Sequence, residues 1–309
     1  MLFRFVERKW WYFLVSGLII VPGTIFLLLG GLKPGIEFRG GTLLDAQFTS
    51  APPTEEVRDL VSGLGHTAIV QRTDGERLQI RTAELTIDET TAVQQLLQER
   101  YATKFVGVNP SSVSASFSEE ILRSAIWSIV LASLFIVLLI AFAFRNFGWA
   151  AFRYGIAAII AAMHDALLVL GVFAILGFFF NVEVDSLFVT AVLTVIGFSV
   201  HDTIVVFDRI RENLKLNPGD PLNPVINFSI MQTMVRSIIT SVTVVFTLLA
   251  LYSFGGYSIR NFALALLVGV ISGAYSSVFN AAQIVSLWQE IEDRLRGRTR
   301  PPHKGLTAA

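Results

Sequence analysis

Residues 186–213 read SLFVTAVLTVIGFSVHDTIVVFDRIREN. The run from Ser186 to Val200 carries no charge, then His201 and Asp202 interrupt it before Thr203-Ile204-Val205-Val206-Phe207 continues. A helix needs roughly 20 apolar residues to cross a bilayer, and this segment reaches that length only if it runs through His201 and Asp202 to Phe207. The fold therefore turns on whether a histidine and an aspartate belong inside a membrane span.

The rest of the chain says that they do. Of 309 residues, 53% are hydrophobic and only 16% are charged, and mean hydropathy is +0.62; soluble domains carry nearer a quarter charged residues. Further apolar windows lie at 11–31, 122–144, 154–180, 236–254 and 261–288. With 186–207 they predict about six transmembrane helices, since backbone polar groups in lipid must be satisfied within the segment. The first window is too long for a signal-peptide core and is followed by Gly30-Gly31-Leu32-Lys33-Pro34-Gly35 without a small-residue cleavage site. It reads as an uncleaved signal anchor. The absence of cysteine excludes disulfides, thiolate metal sites and thiol nucleophiles. A formal net charge of zero gives no reason to expect nucleic acid.

Basic residues gather at one set of span ends: Arg4, Arg8 and Lys9; Arg145 and Arg153; Arg209, Arg211 and Lys215; then Arg294, Arg296, Arg298, Arg300 and Lys304. The opposite connections, Asn181–Asp185 and Gly255–Ser258, are base-poor. Positive charge marks the cytoplasmic side, so both termini are expected there. The expected layout is a cytoplasmic N-terminus and first helix (1–31), an extracytoplasmic domain (32–120), a five-helix bundle (121–290) with a cytoplasmic loop near 208–232, and a basic tail (291–309).

Within 32–120 the periods are those of a soluble fold. Thr42–Phe48, Thr67–Arg72, Arg77–Thr82 and Phe105–Val108 predict strands, with a hairpin turn at Thr73-Asp74-Gly75-Glu76. Pro53–Leu64 predicts a helix capped near Thr54, and Asp88–Tyr101 a second with Val93, Leu96, Leu97 and Tyr101 on one face. The order β-α-β-β-α-β is that of a ferredoxin-like α+β unit. Nothing in it resembles an active site; it reads as a binding module.

Polar side chains at membrane depth are the candidate functional residues, because an aspartate at the centre of a span costs roughly 2.5–3.5 kcal/mol. They are His164 and Asp165 in the third window, His201 and Asp202 in the fourth, and Arg236 at the start of the fifth. Asp208 lies six residues beyond Asp202, roughly 9 Å along a helix, which puts Asp202 within the hydrocarbon if Asp208 marks the interface. A carboxylate and a guanidinium that approach and separate would change the proton affinity of the site. The alternatives are a static ion pair, an Arg236 that reaches to the interface, and a His164–Asp165 contact serving as interhelical glue. Two His-Asp dipeptides also raise a metal site, but adjacent helical residues diverge by about 100° and no His-x-x-x-His accompanies them. Gly269, Gly273 and Ser277, like Gly155, Ala158 and Ala162, have packing-face spacing. Ser237, Thr240, Ser241 and Thr243 follow Arg236, as packing residues or as the lining of a polar path.

The stretch Ile196–Asn213, which includes Asp208 and Arg209, resembles the fourth span of the SecF branch of the SecD/SecF family of protein-export subunits. Three more stretches agree in order: Gly35-Ile36-Glu37-Phe38-Arg39-Gly40-Gly41-Thr42, Met163-His164-Asp165, and Arg236-Ser237-Ile238-Ile239-Thr240-Ser241. The resemblance implies a multi-pass protein of the bacterial cytoplasmic (inner) membrane that is not an enzyme and needs no cofactor. It implies a proton or sodium gradient as the driving force, with Asp202 as the intramembrane carboxylate and Arg236 as its partner. It further implies a separate SecD, the SecYEG channel with its SecA motor, a preprotein substrate and membrane lipid as partners. His201 stands where many members have Asn, and Arg39 where a small polar residue is usual; an imidazole beside Asp202 can itself carry a proton. Two other readings stay in view. One is an exporter of the related resistance–nodulation–division type, disfavoured by the single small outer domain; the other is a scaffold that moves no ion.

Overall fold

The computed structural model describes residues 4–73, 76–143 and 149–297. The expected turn residues Asp74 and Gly75, the basic residue Arg145, and Arg298, Arg300 and Lys304 of the tail lie outside the described residues.

The chain divides into two compact units, one of residues Pro34–Trp127 and one of Met1–Lys33 with Ser128–Ala309. The smaller holds β1 (Gly41–Phe48), α3 (Thr54–Gly63), β2 (Ile69–Arg72), β3 (Arg77–Thr82), α4 (Ile87–Arg100) and β4 (Phe105–Val113), preceded by the single turn α2 (Ile36–Arg39). The antiparallel sheet has the order β2-β3-β1-β4, the expected ferredoxin-like arrangement. Leu44, Ala46 and Phe48 of β1 alternate inward to meet Val57 and Val61 of α3 and Val93 and Leu97 of α4.

Three local expectations differ. No side chain caps α3, because Pro53, not Thr54, is its N-cap residue. β4 runs past the expected Phe105–Val108 through Asn109-Pro110-Ser111-Ser112 to Val113. As the edge strand, β4 tolerates a residue that cannot donate to a further neighbour. α4 has an unanticipated capping box: the Glu89 backbone N–H donates to Thr86 Oγ1 at 3.3 Å, and the Thr86 backbone N–H and hydroxyl each donate to Glu89 Oε2 at 2.8 Å. These bonds hold the Glu89 carboxyl below the usual glutamate range. Burial, followed by the Glu56 charge, pushes the Tyr101 phenol up to about 12.

The paired glycines of the Gly35–Thr42 motif have a backbone role here. Gly40 (φ 75°) ends α2 and Gly41 (φ 121°) opens β1, and a Cβ on Gly41 would meet the Thr82 carbonyl oxygen at 2.6 Å. Gly35 is extended and starts the turn of α2.

The larger unit is helical. After a short turn at Val6–Arg8 come α1 (Lys9–Leu29), α5 (Ala115–Ala143, whose residues up to Trp127 belong to the smaller unit), α6 (Trp149–Phe180), α7 (Ser186–Leu216), α8 (Leu222–Phe254), α9 (Tyr257–Ser276) and α10 (Ala282–Leu295). Between α9 and α10 the chain stays helical but widens into a π-turn at Ser277–Ala281. Six helical segments are long and apolar enough to cross a membrane: Val6–Leu29, Ala115–Ile140, Phe152–Phe180, Ser186–Leu216, Leu222–Phe254 and Ile259–Leu295. The protein is thus a polytopic helical membrane protein with one small α+β domain.

Close glycine contacts set the helix directions. Gly23 meets Gly171 backbone to backbone, where a Cβ would come within 2.8 Å, and Phe26 meets Phe178, so α1 and α6 run parallel. Gly269 lies on Val195 and Gly273 on Ser199, so α7 and α9 run parallel as well. Tyr154 packs on Phe207 and Phe173 on Phe188, which sets α6 antiparallel to α7. Small residues here admit close backbone approach, the usual basis of helix association in lipid.

At the end of the bundle where α1 begins, α10 is tied in from several sides. Lys9 pairs with Glu290, Arg153 Nη1 reaches Glu292 Oε2 at 2.9 Å, and the Ser286 hydroxyl donates to Asn223 Oδ1 at 2.8 Å. The Val6 N–H donates to Asn227 Oδ1 at 2.9 Å.

Candidate functional site

α6, α7 and α9 enclose Asp165, whose side chain is fully buried. Hydroxyls surround it. Ser272 donates to Oδ1 and Ser276 to Oδ2, each at 2.5 Å, and Ser199 also donates to Oδ2. His164 Nδ1 lies 3.0 Å from Oδ1. Four groups from three helices thus face the two carboxylate oxygens. A buried polar group is tolerated when its hydrogen-bonding capacity is met in this way.

One turn further along α7, Asp202 is half-buried. Ser237 of α8 donates to its Oδ1 at 2.7 Å, and Ser277 of the π-turn donates to Oδ2 at 2.6 Å. Ser276 and Ser277 are consecutive, yet each serves a different carboxylate on a different helix. The π-turn starts at this point and adds a residue to the helix, which is how neighbouring serines come to face two sites. Such widened turns are frequent at functional sites.

A third node touches the first. His164 Nε2 lies 2.9 Å from Ser16 Oγ of α1 and 3.1 Å from Asn280 Nδ2 of the π-turn, and Asn280 Nδ2 also donates to Ser16 at 2.9 Å. The Thr203 hydroxyl, Asn280 Oδ1 and both amide atoms of Gln283 are fully buried with no protein partner among the described residues. An amide taken from water without a partner costs about 2–7 kcal/mol.

The expected Asp202–Arg236 ion pair is not formed in this structure. Arg236 is exposed on α8, and its guanidinium has no partner among the described residues, while its neighbour Ser237 points inward to Asp202. The reason is helical geometry: successive side chains diverge by about 100°, so turning Ser237 to the carboxylate turns Arg236 away. His201 is likewise exposed, on the opposite side of α7 from Ser199, and has no partner among the described residues. Asp208 lies at the exposed end of α7, 3.4 Å from Arg211, and Arg209 donates to Gln232 at 2.6 Å and to Glu212 at 2.5 Å.

Sequence reasoning found Asp165, His164 and Asp202 but missed most of their partners. Ser16, Ser272, Ser276 and Asn280 have no motif to mark them, Ser199 sits unremarked inside the Ile196–Asn213 stretch, and the spacing of Ser277 suggests only packing. Of the hydroxyls after Arg236, Ser237 reaches a carboxylate, whereas Thr240 and Thr243 donate to carbonyls of their own helix. No group of three or more metal-binding side chains occurs among the described residues.

Two carboxylates held by hydroxyls within a bundle of membrane-length helices, in a chain that also carries a small α+β domain, define an integral membrane protein of the transporter-like class. The comparisons make this specific. The family model for the SecD/SecF protein export membrane protein, C-terminal, matches residues 92–291, and that for the SecD/SecF GG motif matches residues 25–52. The protein translocase subunit SecF of Thermobaculum terrenum is 47% identical, with 96% of this chain and 97% of that protein covered. The protein translocase subunit SecDF of Bacillus subtilis is 35% identical over 92% of this chain and 38% of its own length. The crystal structure of SecDF, a translocon-associated membrane protein from Thermus thermophilus, superposes with a TM-score of 0.83 at 28% identity, covering 94% of this chain and 39% of that one. The chain belongs to the SecF branch of the SecD/SecF family.

Proposed function

We propose that the chain is an accessory subunit of the Sec preprotein translocase. In this reading it works with SecD to couple a proton or sodium gradient to preprotein export through the SecYEG channel and its SecA motor. The observation that carries the reading is Asp202, a carboxylate inside the fourth span whose partners are hydroxyls on two other helices. Hydroxyls donate to an ionised carboxylate and accept from a protonated one, so the site tolerates both states without rebuilding. The buried Thr203 hydroxyl and Gln283 amide, without partners among the described residues, support a hydrated route through the bundle.

Arg236 keeps its role in altered form. It is one residue from Ser237, so a rotation of α8 by one residue would exchange a hydroxyl for a guanidinium beside Asp202. A full charge left exposed within a span is costly. With His201, Thr194 and Thr243 exposed on the same two helices, it supports the α7–α8 face as the seat of SecD. The basic span ends support a cytoplasmic placement of both termini and an extracytoplasmic placement of the α+β unit in the bacterial inner membrane.

The test is ion flux and preprotein release in vesicles holding the chain with SecD, SecYEG and SecA. Asp202→Asn is expected to abolish gradient-dependent release while leaving assembly intact. Undiminished flux and release in that variant would refute coupling through Asp202 and leave the scaffold reading in its place.

A further inference from the structure

The geometry points to Asn280 as a positioning residue that lets His164 carry a proton, an inference that rests on the ion-coupled reading above. His164 Nδ1 faces the Asp165 carboxylate at 3.0 Å, so Nδ1 holds a hydrogen in either charge state when Asp165 is ionised. The variable atom is Nε2. It bears a lone pair in the neutral ring and a hydrogen in the charged one.

Around Nε2 stand the Ser16 hydroxyl at 2.9 Å and the Asn280 amide nitrogen at 3.1 Å. An amide NH2 can only donate. In the orientation seen, Asn280 therefore matches a neutral imidazole with its lone pair on Nε2, and its second hydrogen goes to Ser16 at 2.9 Å. Inverting the same amide puts Oδ1 against Nε2 and Ser16, where it accepts from an imidazolium N–H. A carboxamide is nearly symmetric in shape, so neither helix need move.

A second observation supports two usable orientations. Asn280 is only 3% exposed, and its Oδ1 has no partner among the described residues. The outer side of the amide is not bonded in a way that would fix one orientation, as a donor placed against Oδ1 would do. Asn280 also sits in the same π-turn as Ser277, which serves Asp202, and just beyond Ser276, which serves Asp165. A change in the charge of His164 is thus felt on the helical turn that holds both carboxylates. Among the described residues Asp165 on its own helix lies against His164, while Tyr275 on α9 and Tyr12 on α1 are reached through Ser16: Tyr275 adjoins Ser16 and donates to the Tyr12 carbonyl at 2.9 Å. α7 contributes the Ser199 hydroxyl.

The test is the nitrogen-15 spectrum of His164 in the full chain, assembled with SecD in lipid vesicles, from about pH 5 to 9, beside ion flux on the same samples. The wild-type ring is expected to pass from doubly protonated to singly protonated, with the lone pair on Nε2. Asn280→Asp, whose carboxylate accepts but cannot donate, is expected to hold the ring doubly protonated across the range. Asn280→Leu, which removes the reversible partner while keeping the volume, is expected to hold it neutral and to reduce flux about tenfold. A wild-type ring that keeps one charge state throughout overturns the inference, as does an unchanged titration in both variants however far flux falls. Either result leaves the role of Asp202 standing, because that role is read from Asp202→Asn alone.

Discussion

Ser277 is the residue at which packing and chemistry separate. Its spacing from Gly269 and Gly273 makes it look like one more small residue on a helix face, and the two glycines do act so against Val195 and Ser199. Ser277 instead donates to Asp202 at 2.6 Å. Hydrogen bonds to charged groups contribute about 1.5–3 kcal/mol, so losing one of the two hydroxyl donors found among the described residues should tell on the site. Ser277→Ala is expected to lower gradient-driven ion flux about tenfold, with the protein still assembling with SecD. An unaltered flux would reduce Ser277 to packing. The carboxylates were legible in the sequence because aspartate is conspicuous among apolar residues. Their serine donors were not, because serine is ordinary in a membrane helix and only the fold shows which serines point inward. That Asp202 meets Ser237 and not Arg236 in this structure was hidden for a related reason: neighbours in sequence diverge on a helix, and the sequence does not say which of the two faces the carboxylate.

At the scale of elements, the six apolar helices and the β-α-β-β-α-β order follow from hydropathy and period, whereas the π-turn at Ser277–Ala281 leaves no such trace. A π-turn accommodates one extra residue between two α-helical stretches. Deleting Ser277 should therefore let α9 run straight into α10 with Asn280 and Glu290 keeping their places, so that the deletion behaves like Ser277→Ala. Deleting Val285 instead, inside regular α10, should rotate Glu290 and Glu292 away from Lys9 and Arg153 and impair assembly. Equal damage from both deletions would rule out this account of the turn. In the α+β unit, the α4 capping box makes a prediction with a sign. Glu89 is held below its ordinary range by Thr86, so its contribution is present above the unfolded glutamate pKa of about 4.3 and is lost as pH falls through the lowered folded value. Thr86→Ala is expected to cost about 1 kcal/mol, read as faster amide exchange in α4 at pH 7. The difference from wild type should shrink as the medium is acidified below that range.

At the scale of the whole molecule, the exposed surfaces of the bundle are not alike. α5 offers apolar side chains, Phe135 among them at 74% exposed, and a surface of that kind is at home against lipid tails. The exposed sides of α7 and α8 are different: α7 presents Thr194 and His201, and α8 presents Thr243 and an Arg236 that has no partner among the described residues. Lipid gives a guanidinium in a span no counter-charge, whereas a second membrane subunit with a carboxylate at matching depth does. If SecD covers these sides, proximity should be measurable, and the chain is suited to the measurement because it has no cysteine of its own. Single cysteines at Thr194, Thr243 and Phe135, each carrying a short thiol-linked photoreactive group, would report what lies against each surface. Strong cross-links to SecD are expected from Thr194 and Thr243, with lipid adducts from Phe135. The reverse pattern would move the subunit contact to α5 and require another source of compensation for Arg236. Arg236→Glu adds a check on charge itself. Repulsion from a partner carboxylate should weaken recovery of SecD with the chain, and Arg236→Lys should largely restore it, since both cations answer an acidic group while only the guanidinium offers a bidentate contact.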